Sequence, residues 1–214
     1  SKHLVKLSAS GSVVFSNNYL AKSAWDHGAY SLREDSAGNL YIAGYEKVDD
    51  YRDGSLTKFD SNGNLLWNKT YRKYSKNNEY IQDIIFNSDQ SITAVGFGQN
   101  ASNNEWMFNV DTSGNQSNMT FVDLRDYPKS AELLSNGNIQ VVSSYNNDII
   151  ITEVSSNFSI VNGVALSVNT GGRLFAAKST SDGGYIAAGR LNDSSTSSVD
   201  DGYFINTTLQ EQLK

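Results

Sequence analysis

The residues able to do chemistry are few. The chain has two histidines, His3 and His27, and no cysteine. That excludes a thiolate zinc site, an iron–sulfur cluster, a cysteine nucleophile and a disulfide framework. Asp26-His27 has the form of an acid–base pair and lies in a loop ahead of a predicted strand. Nucleophilic catalysis needs a serine with a histidine base and an orienting acid, and zinc needs three or four ligands. Serine is abundant and no partner for His27 recurs, so His27 is expected to be a surface-loop residue and no catalytic residue is assigned. Calcium asks only for oxygen ligands. Asp60, Asn62 and Asn64 alternate oxygens along one turn, as do Asp111, Ser113 and Asn115 along another. Asp49, Asp50 and Asp53 form an acidic loop, with Asp200-Asp201 in an equivalent place. Asp and Asn also favour turns for their own local hydrogen bonds, so a repeated structural turn accounts for the same residues. Calcium is therefore the one ion the sequence admits, and no other cofactor is expected.

Tyrosine supplies contact surface. Tyr45, Tyr51, Tyr74, Tyr127 and Tyr145 lie in or near predicted loops, with Tyr71 and Tyr80 beside them, and tyrosine suits contact with sugars and proteins. Glycosylation sequons stand at Asn68, Asn100, Asn115, Asn118, Asn157, Asn192 and Asn206, consistent with a glycosylated surface protein. Gly96-Phe-Gly98 and Gly171-Gly172 are followed by no helical pattern, so a phosphate cradle is not supported. With 17 Lys+Arg against 23 Asp+Glu the chain is acidic, which argues against nucleic acid and anionic membranes as partners. No apolar run reaches the roughly 18 residues of a membrane span. The 214 residues are 38% hydrophobic, too apolar for disorder, and begin Ser1-Lys2-His3-Leu4 without methionine, as expected of a processed product or a segment of a longer protein.

Any such residues must be positioned by the elements around them, and those elements repeat. Leu4-Val-Lys-Leu-Ser-Ala-Ser-Gly11 returns as Leu56-Thr-Lys-Phe-Asp-Ser-Asn-Gly63 and Met107-Phe-Asn-Val-Asp-Thr-Ser-Gly114, with weaker copies at Ile151 to Phe158 and Phe204 to Glu211. Between these copies lies a second motif. It reads Ser36-Ala-Gly-Asn-Leu-Tyr-Ile-Ala-Gly44, and returns at Ser88 to Gly96, Ser135 to Ser143 and Ser181 to Gly189. Each motif reads as a hairpin. Pairs such as Asn62-Gly63 and Gly38-Asn39 supply the positive φ of tight two-residue turns, and the flanks are β-branched and aromatic. Two hairpins make a unit of four short strands in about 45–50 residues, the size of a propeller blade. A lone sheet of this kind exposes two faces and needs neighbours to cover them.

The sequence therefore predicts an all-β fold, a β-propeller of four-stranded antiparallel blades with about 4.5 repeats, either five-bladed or part of a larger ring. Residues 1–214 are taken as a single propeller domain or segment. A half blade is expected at residues 4–20, and full blades near 27–73, 79–125, 129–168 and 173–214. The small apolar residues Ala43, Ala94-Val95, Val141-Val142 and Ala187-Ala188 are expected on the innermost strands, where blades crowd.

The run Asp53-Gly-Ser-Leu-Thr-Lys-Phe-Asp-Ser-Asn-Gly-Asn-Leu-Leu-Trp-Asn-Lys-Thr-Tyr71, with Ser181-Asp-Gly-Gly-Tyr-Ile-Ala-Ala-Gly189, resembles the "KxDxxGnxxW…sDGGyixaG" propeller repeats of bacterial and archaeal secreted or surface proteins. That group is related in style to quinoprotein-like and delta-60-type propellers. The resemblance covers nearly the whole chain and implies a propeller, usually extracellular or at the cell surface, often one domain of a long surface protein. It implies no chemistry. Quinone binding would need more tryptophan than Trp25, Trp67 and Trp106. Lys58 matches Lys6 but then Asn109, Glu153 and Asn206, and Trp67 matches Phe15 but then Asn118 and Asn162, so a ring of identical ligand sites is broken.

The leading expectation is a non-enzymatic extracellular or cell-surface module whose loops bind a protein or a glycan. The alternative is a structural spacer in a surface layer, filament or fibre, with copies of itself or the rest of a longer chain as partners. A third is a polysaccharide-active hydrolase or lyase. That activity would need acids, His or Arg gathered from the loops before each first strand, where the sequence offers Asp26, His27, Glu79 and Asp126.

Overall fold

The computed structural model describes residues 2–19, 26–73, 77–98, 105–124, 127–145, 148–167, 172–180, 185–192 and 200–207. The described residues are strands joined by turns, without a helix. The chain divides into two compact units, Ser1–Thr120 and Phe121–Lys214, each described by itself.

Unit 1 opens with a two-stranded antiparallel sheet, β1 (Lys2–Leu7) and β2 (Val13–Tyr19). A four-stranded sheet follows, in chain order: β3 (His27–Glu34), β4 (Leu40–Val48), β5 (Tyr51–Phe59) and β6 (Leu65–Tyr71). A second sheet repeats that order with β7 (Glu79–Phe86), β8 (Ile92–Gly98), β9 (Glu105–Val110) and β10 (Gln116–Phe121). Unit 2 contains the four-stranded sheet of β11 (Pro128–Leu133), β12 (Ile139–Tyr145), β13 (Asp148–Val154) and β14 (Ile160–Ser167). Beside it stand β15 (Gly172–Ser179), β16 (Tyr185–Asn192) and β17 (Asp200–Thr207), three strands of a further sheet. A last strand expected at residues 210–214 lies outside the described residues. The register aligns the repeats as the sequence did: Lys6 faces Phe15, Lys58 faces Trp67 and Glu153 faces Asn162.

Strand alternation assigns the two faces of the first four-stranded sheet to two neighbours. Leu40, Ile42 and Phe59 turn to one side and meet Leu4, Phe15 and Tyr19 of the β1–β2 pair. Tyr41, Ala43 and Leu56 turn to the other and meet Ile81, Ile84, Ile92, Ala94, Trp106 and Phe108 of the next sheet. Trp106 is fully buried, and it lies where a side chain on Gly96 would stand: a Cβ there would sit 2.9 Å from the indole and 2.3 Å from the Tyr80 carbonyl oxygen. The small residues Ala43, Ala94, Val95, Val141 and Val142 occupy the second strand of each sheet, β4, β8 and β12. They do not occupy the first, edge strand. The second strand is buried because both its faces are covered, whereas β3 alternates half-buried and exposed residues.

Each first strand carries a β-bulge at one repeated place. The register slips at Tyr30 between Ala29 and Ser31, at Gln82 between Ile81 and Asp83, at Lys129 between Pro128 and Ser130, and at Phe175 between Leu174 and Ala176. Bulges deepen strand twist and spoil an open edge for pairing with another chain. Just past the bulge, first strands of neighbouring sheets are latched. Arg33 donates to both Asp83 oxygens (3.0 and 2.7 Å) and Ser31 Oγ to Asp83 Oδ1 (2.6 Å). In unit 2, Ser179 donates through N and Oγ to Glu132 Oε2, and Ser130 Oγ to the Ala177 carbonyl.

The hairpin turns are longer than the two-residue turns expected from Asn62-Gly63 and its kin. Gly63 N donates to Asp60 O and Asp60 N to Asn64 O, which closes a three-residue loop whose last residue has positive φ. The same pair of bonds recurs at Ser8/Gly11/Ser12, Asp35/Gly38/Asn39, Asn87/Gln90/Ser91, Asp111/Gly114/Asn115, Leu134/Gly137/Asn138 and Ser155/Phe158/Ser159. Both motifs thus contain one turn type. Two positions lack glycine, Gln90 at φ 68° and Phe158 at φ 65°. The left-handed conformation costs about 1–2 kcal/mol for a residue with a Cβ. Burying the Phe158 ring returns roughly 1.5–3 kcal/mol, so Phe158 is tolerated. Exposed Gln90 has no burial to offset it, only an exposed hydrogen bond accepted from Ser36 Oγ.

In three of these turns an aspartate caps the loop. Oδ1 of Asp60 accepts from Asn62 N and Asn64 N, and Oδ2 from Asn64 Nδ2, and Asp111 does the same with Ser113 and Asn115. The Asn64 side chain and amide hold the Asp60 carboxyl below the usual carboxylate range, and the Asn115 amide and side chain do so for Asp111. Burial pushes the Asp35 carboxyl up, but bonds from Asn39, Tyr41 and Ala37 outweigh it and hold it low.

Gln90→Gly is expected to stabilise the chain by roughly 0.5–1 kcal/mol, measured by denaturant unfolding. Because the three aspartates are held low, their stabilisation is present above the unfolded carboxylate value of about 3.9 and lost as pH falls through the depressed values. The thermal midpoint should drop below that pH, and drop less in an Asp60→Asn, Asp111→Asn variant.

Candidate functional site

Antiparallel order brings the start of β3, the end of β4, the start of β5, the start of β7 and the end of β8 to one end of unit 1. Tyr45 on β4 and Arg52 on β5 share a face of their sheet, since Arg52 pairs with Lys47, two residues on from Tyr45. The guanidinium lies 5.1 Å over the Tyr45 ring and 5.9 Å from that of Tyr80. It donates from Nε to Asp26 Oδ1 (2.8 Å) and from a terminal nitrogen to the Tyr80 hydroxyl (2.9 Å). The backbone N of Arg52 donates to Asn78 Oδ1 (3.0 Å), so the head of β5 is tied to the loop before β7.

Tyr45 and Tyr80 flank this cation, and Tyr30 packs against both rings. Tyr30 lies 5.7 Å from Tyr45 and 6.3 Å from Tyr80, ring centre to ring centre, and Tyr45 lies 5.1 Å from Tyr80 edge to face. Tyr80 is backed by Phe97, stacked at 4.9 Å. Tyr45 can lie flat against its neighbour strand because its cross-strand partner is Gly28, where a Cβ would come within 2.4 Å of the ring. Tyr30 is the extra residue of the β3 bulge and stays 49% exposed, while Tyr80 is 3% exposed. Burial, reinforced by Tyr45 and Tyr80, pushes the Tyr30 hydroxyl up to about 12, so it is a neutral donor at ordinary pH. Bonds from Tyr80 and then Asp26 hold the Arg52 guanidinium above its ordinary value. The result is a half-open aromatic surface with a fixed cation and a carboxylate at its rim.

The sequence candidates fall in different places. Tyr45 belongs to this cluster. Tyr51 is half-buried at the head of β5, opposite Val48. Tyr71, placed near loops by the sequence, is buried and donates to the Gly114 carbonyl (3.0 Å), a structural role. Tyr127 belongs to unit 2, exposed, with Lys129 Nζ 5.4 Å over its ring. Tyr74 and Asp126, and the side chain of Tyr145, lie outside the described residues. Tyr30 and Arg52 were missed as site residues. Tyr30 reads as a strand residue and Arg52 as part of an acidic loop, and only the bulge and the cross-strand register bring them together.

Asp26 and His27 do not form the acid–base pair their adjacency suggests. Asp26 binds Arg52, and the buried Nδ1 of His27 has no hydrogen-bond partner. Glu79 is buried and accepts from Lys73 N (2.7 Å). The acidic loop is split: Asp49 and Asp50 form the exposed turn between β4 and β5, whereas Asp53 is buried and paired with Arg72 at 2.6 Å. Asp60, Asn62 and Asn64 stand in the capped turn described above, where turn donors occupy both carboxylate oxygens of Asp60. No group of three or more His, Asp or Glu side chains is gathered in metal-holding geometry among the described residues.

Among the sequons, Asn68 is tied down. Its Nδ2 donates to both oxygens of buried Glu46 and its Oδ1 accepts from Thr57, so a glycan there would break a buried network. Asn115 is held by Asp111 and Lys69. Asn118 and Asn157 are exposed. Asn100, and the side chains of Asn192 and Asn206, lie outside the described residues.

No protein-family pattern matches the chain, and no curated protein matches it in sequence. Solved structures do. Streptogramin B lyase is 14% identical with a TM-score of 0.57, over 96% of this chain and 61% of that one. A luciferin-regenerating enzyme is 15% identical with a TM-score of 0.61, over 97% and 71%. A protein of unknown function from Bacteroides caccae is 14% identical with a TM-score of 0.59, over 94% and 66%. This chain thus spans about two thirds or less of the lyase and of the Bacteroides protein. At such identities the likeness shows the fold alone, and that fold is the β-propeller.

Proposed function

We propose that the chain is a non-enzymatic propeller module of an extracellular or cell-surface protein, and that it binds a glycan or a protein through the aromatic end of unit 1. One observation carries this: Tyr30, half-exposed beside Tyr45 and Tyr80, with Arg52 and Asp26 fixed at the edge of the rings. Rings of this kind bury apolar area while their hydroxyls stay available for hydrogen bonds, which suits sugar rings and protein side chains alike. Asp26 and Arg52 hold each other in place, so the polar groups meet a ligand already oriented, and less ordering is needed on binding. The repeat resemblance supports the surface location, and exposed Asn118 and Asn157 are compatible with it.

Screened against a glycan array at about millimolar concentration, where ΔG of binding is near −4 kcal/mol, the chain should retain at least one glycan. Tyr30→Ala should weaken that binding by about tenfold or more while leaving the thermal midpoint close to wild type, because Tyr30 is half-exposed. Binding unchanged in Tyr30→Ala would remove this end of the molecule as the site.

A further inference from the structure

We propose that the ligand of the aromatic end is a neutral sugar presenting two adjacent hydroxyls, gripped by the Asp26–Arg52 pair with its apolar face on Tyr30. This assignment rests on the glycan-binding role proposed above and narrows it to a ligand class. Tyr30 presents the exposed ring, and a pyranose lays its C–H face on such a ring. Arg52 commits Nε to Asp26 and one terminal nitrogen to Tyr80. Guanidinium carries five N–H donors, so N–H groups remain for a ligand oxygen. Asp26 accepts from Arg52 through Oδ1, and its carboxylate has further lone pairs with which to accept a ligand O–H. A donor and an acceptor held side by side match two neighbouring hydroxyls, one accepting from Arg52 and the other donating to Asp26. Both groups are partly exposed, 35% for the Arg52 side chain and 27% for that of Asp26, so a ligand can reach them.

Charge selects against an acidic sugar. The Arg52 charge already faces Asp26, and the same end carries exposed Asp49 and Asp50 together with buried Glu46, Asp53 and Glu79. Of the cations there, Lys2 is paired with Glu46 and Arg72 with Asp53; Lys47, cross-strand from Arg52, and Lys73 are half-buried, and the carboxylates still outnumber the cations. A carboxylate-bearing ligand would have to displace Asp26 from Arg52 against this field. A neutral diol uses the pair as it stands.

The experiment compares the full chain with Asp26→Asn, Tyr30→Ala and Tyr30→Phe, titrated against neutral oligosaccharides and against uronic-acid oligosaccharides of matched length. The neutral sugars should bind the wild type, be lost in Tyr30→Ala and bind Tyr30→Phe more tightly than Tyr30→Ala. They should bind Asp26→Asn about tenfold more weakly, the loss expected of one charge-assisted hydrogen bond. Preference for the uronic-acid sugars, strengthened in Asp26→Asn, would overturn the neutral assignment and leave glycan binding standing. Neutral binding that Asp26→Asn leaves unchanged would overturn the grip by the Asp26–Arg52 pair. Binding by no glycan of either kind would overturn both this inference and the glycan-binding role beneath it.

Discussion

The first unit depends on the fit of one indole. Trp106 stands on β9 across from Gly96 on β8, and reaches Gly54 on β5 of the neighbouring sheet, where a Cβ would lie 3.0 Å from the indole. Sheets pack face to face only as closely as their side chains allow. Here two positions without side chains make room for the largest one, and Ile81, Phe108 and Leu56 close around it, all fully buried. The sheet of β3 to β6 is thereby covered on this side. Its other side receives the β1–β2 pair. A four-stranded sheet with both faces apolar is not viable alone, so cooperation between sheets is built into the period of the sequence.

Burial on the β1–β2 side includes charge. Lys2 reaches Glu46 at 3.0 Å and Ser55 at 2.9 Å, with both ionised groups almost wholly buried, and Asn68 completes the shell around the carboxylate. Burial lowers the Lys2 ammonium from its ordinary value, against the pull of Glu46 in the other direction. A buried pair of this kind adds little net stability over an apolar pair, yet removing one partner typically costs about 3–5 kcal/mol. Its effect is on specificity. Leu4 alone would tolerate a slip of the β1–β2 pair along its neighbour, and the Lys2–Glu46 contact does not. Asp83 and Glu132 also tie neighbouring first strands together, Asp83 from the position just after its bulge and Glu132 from three residues past its own, the place of Arg33.

The two ends of the sheets differ in chemical character. At the hairpin end, seven turns share one hydrogen-bond pattern, and Asp35, Asp60 and Asp111 with Asn39, Asn64 and Asn115 are committed to it. At the other end the connections differ in length and sequence, and Asp26, Arg52, Tyr30, Tyr45 and Tyr80 collect there. Repetition serves the frame, and departure from repetition supplies this aromatic surface with its fixed ion pair. The turns at Asp60 and Asp111 share that hydrogen-bond pattern.

The sequence by itself determined the period, the strand pairs, the turn positions and the propeller class, because those depend on local preferences that recur with each unit: alternation, β-branching, and a turn residue of positive φ. It also marked Tyr45. The sequence did not reveal that Tyr30 leaves the ladder at a bulge, that Gly28 yields its space to a tyrosine ring, that Arg52 pairs with Asp26 outside the acidic loop that contains it, or that Asp53 turns inward to Arg72. Those follow from cross-strand register and from the approach of one sheet to the next. A one-residue slip in either would send the same side chains to opposite faces, and only tertiary structure fixes that choice.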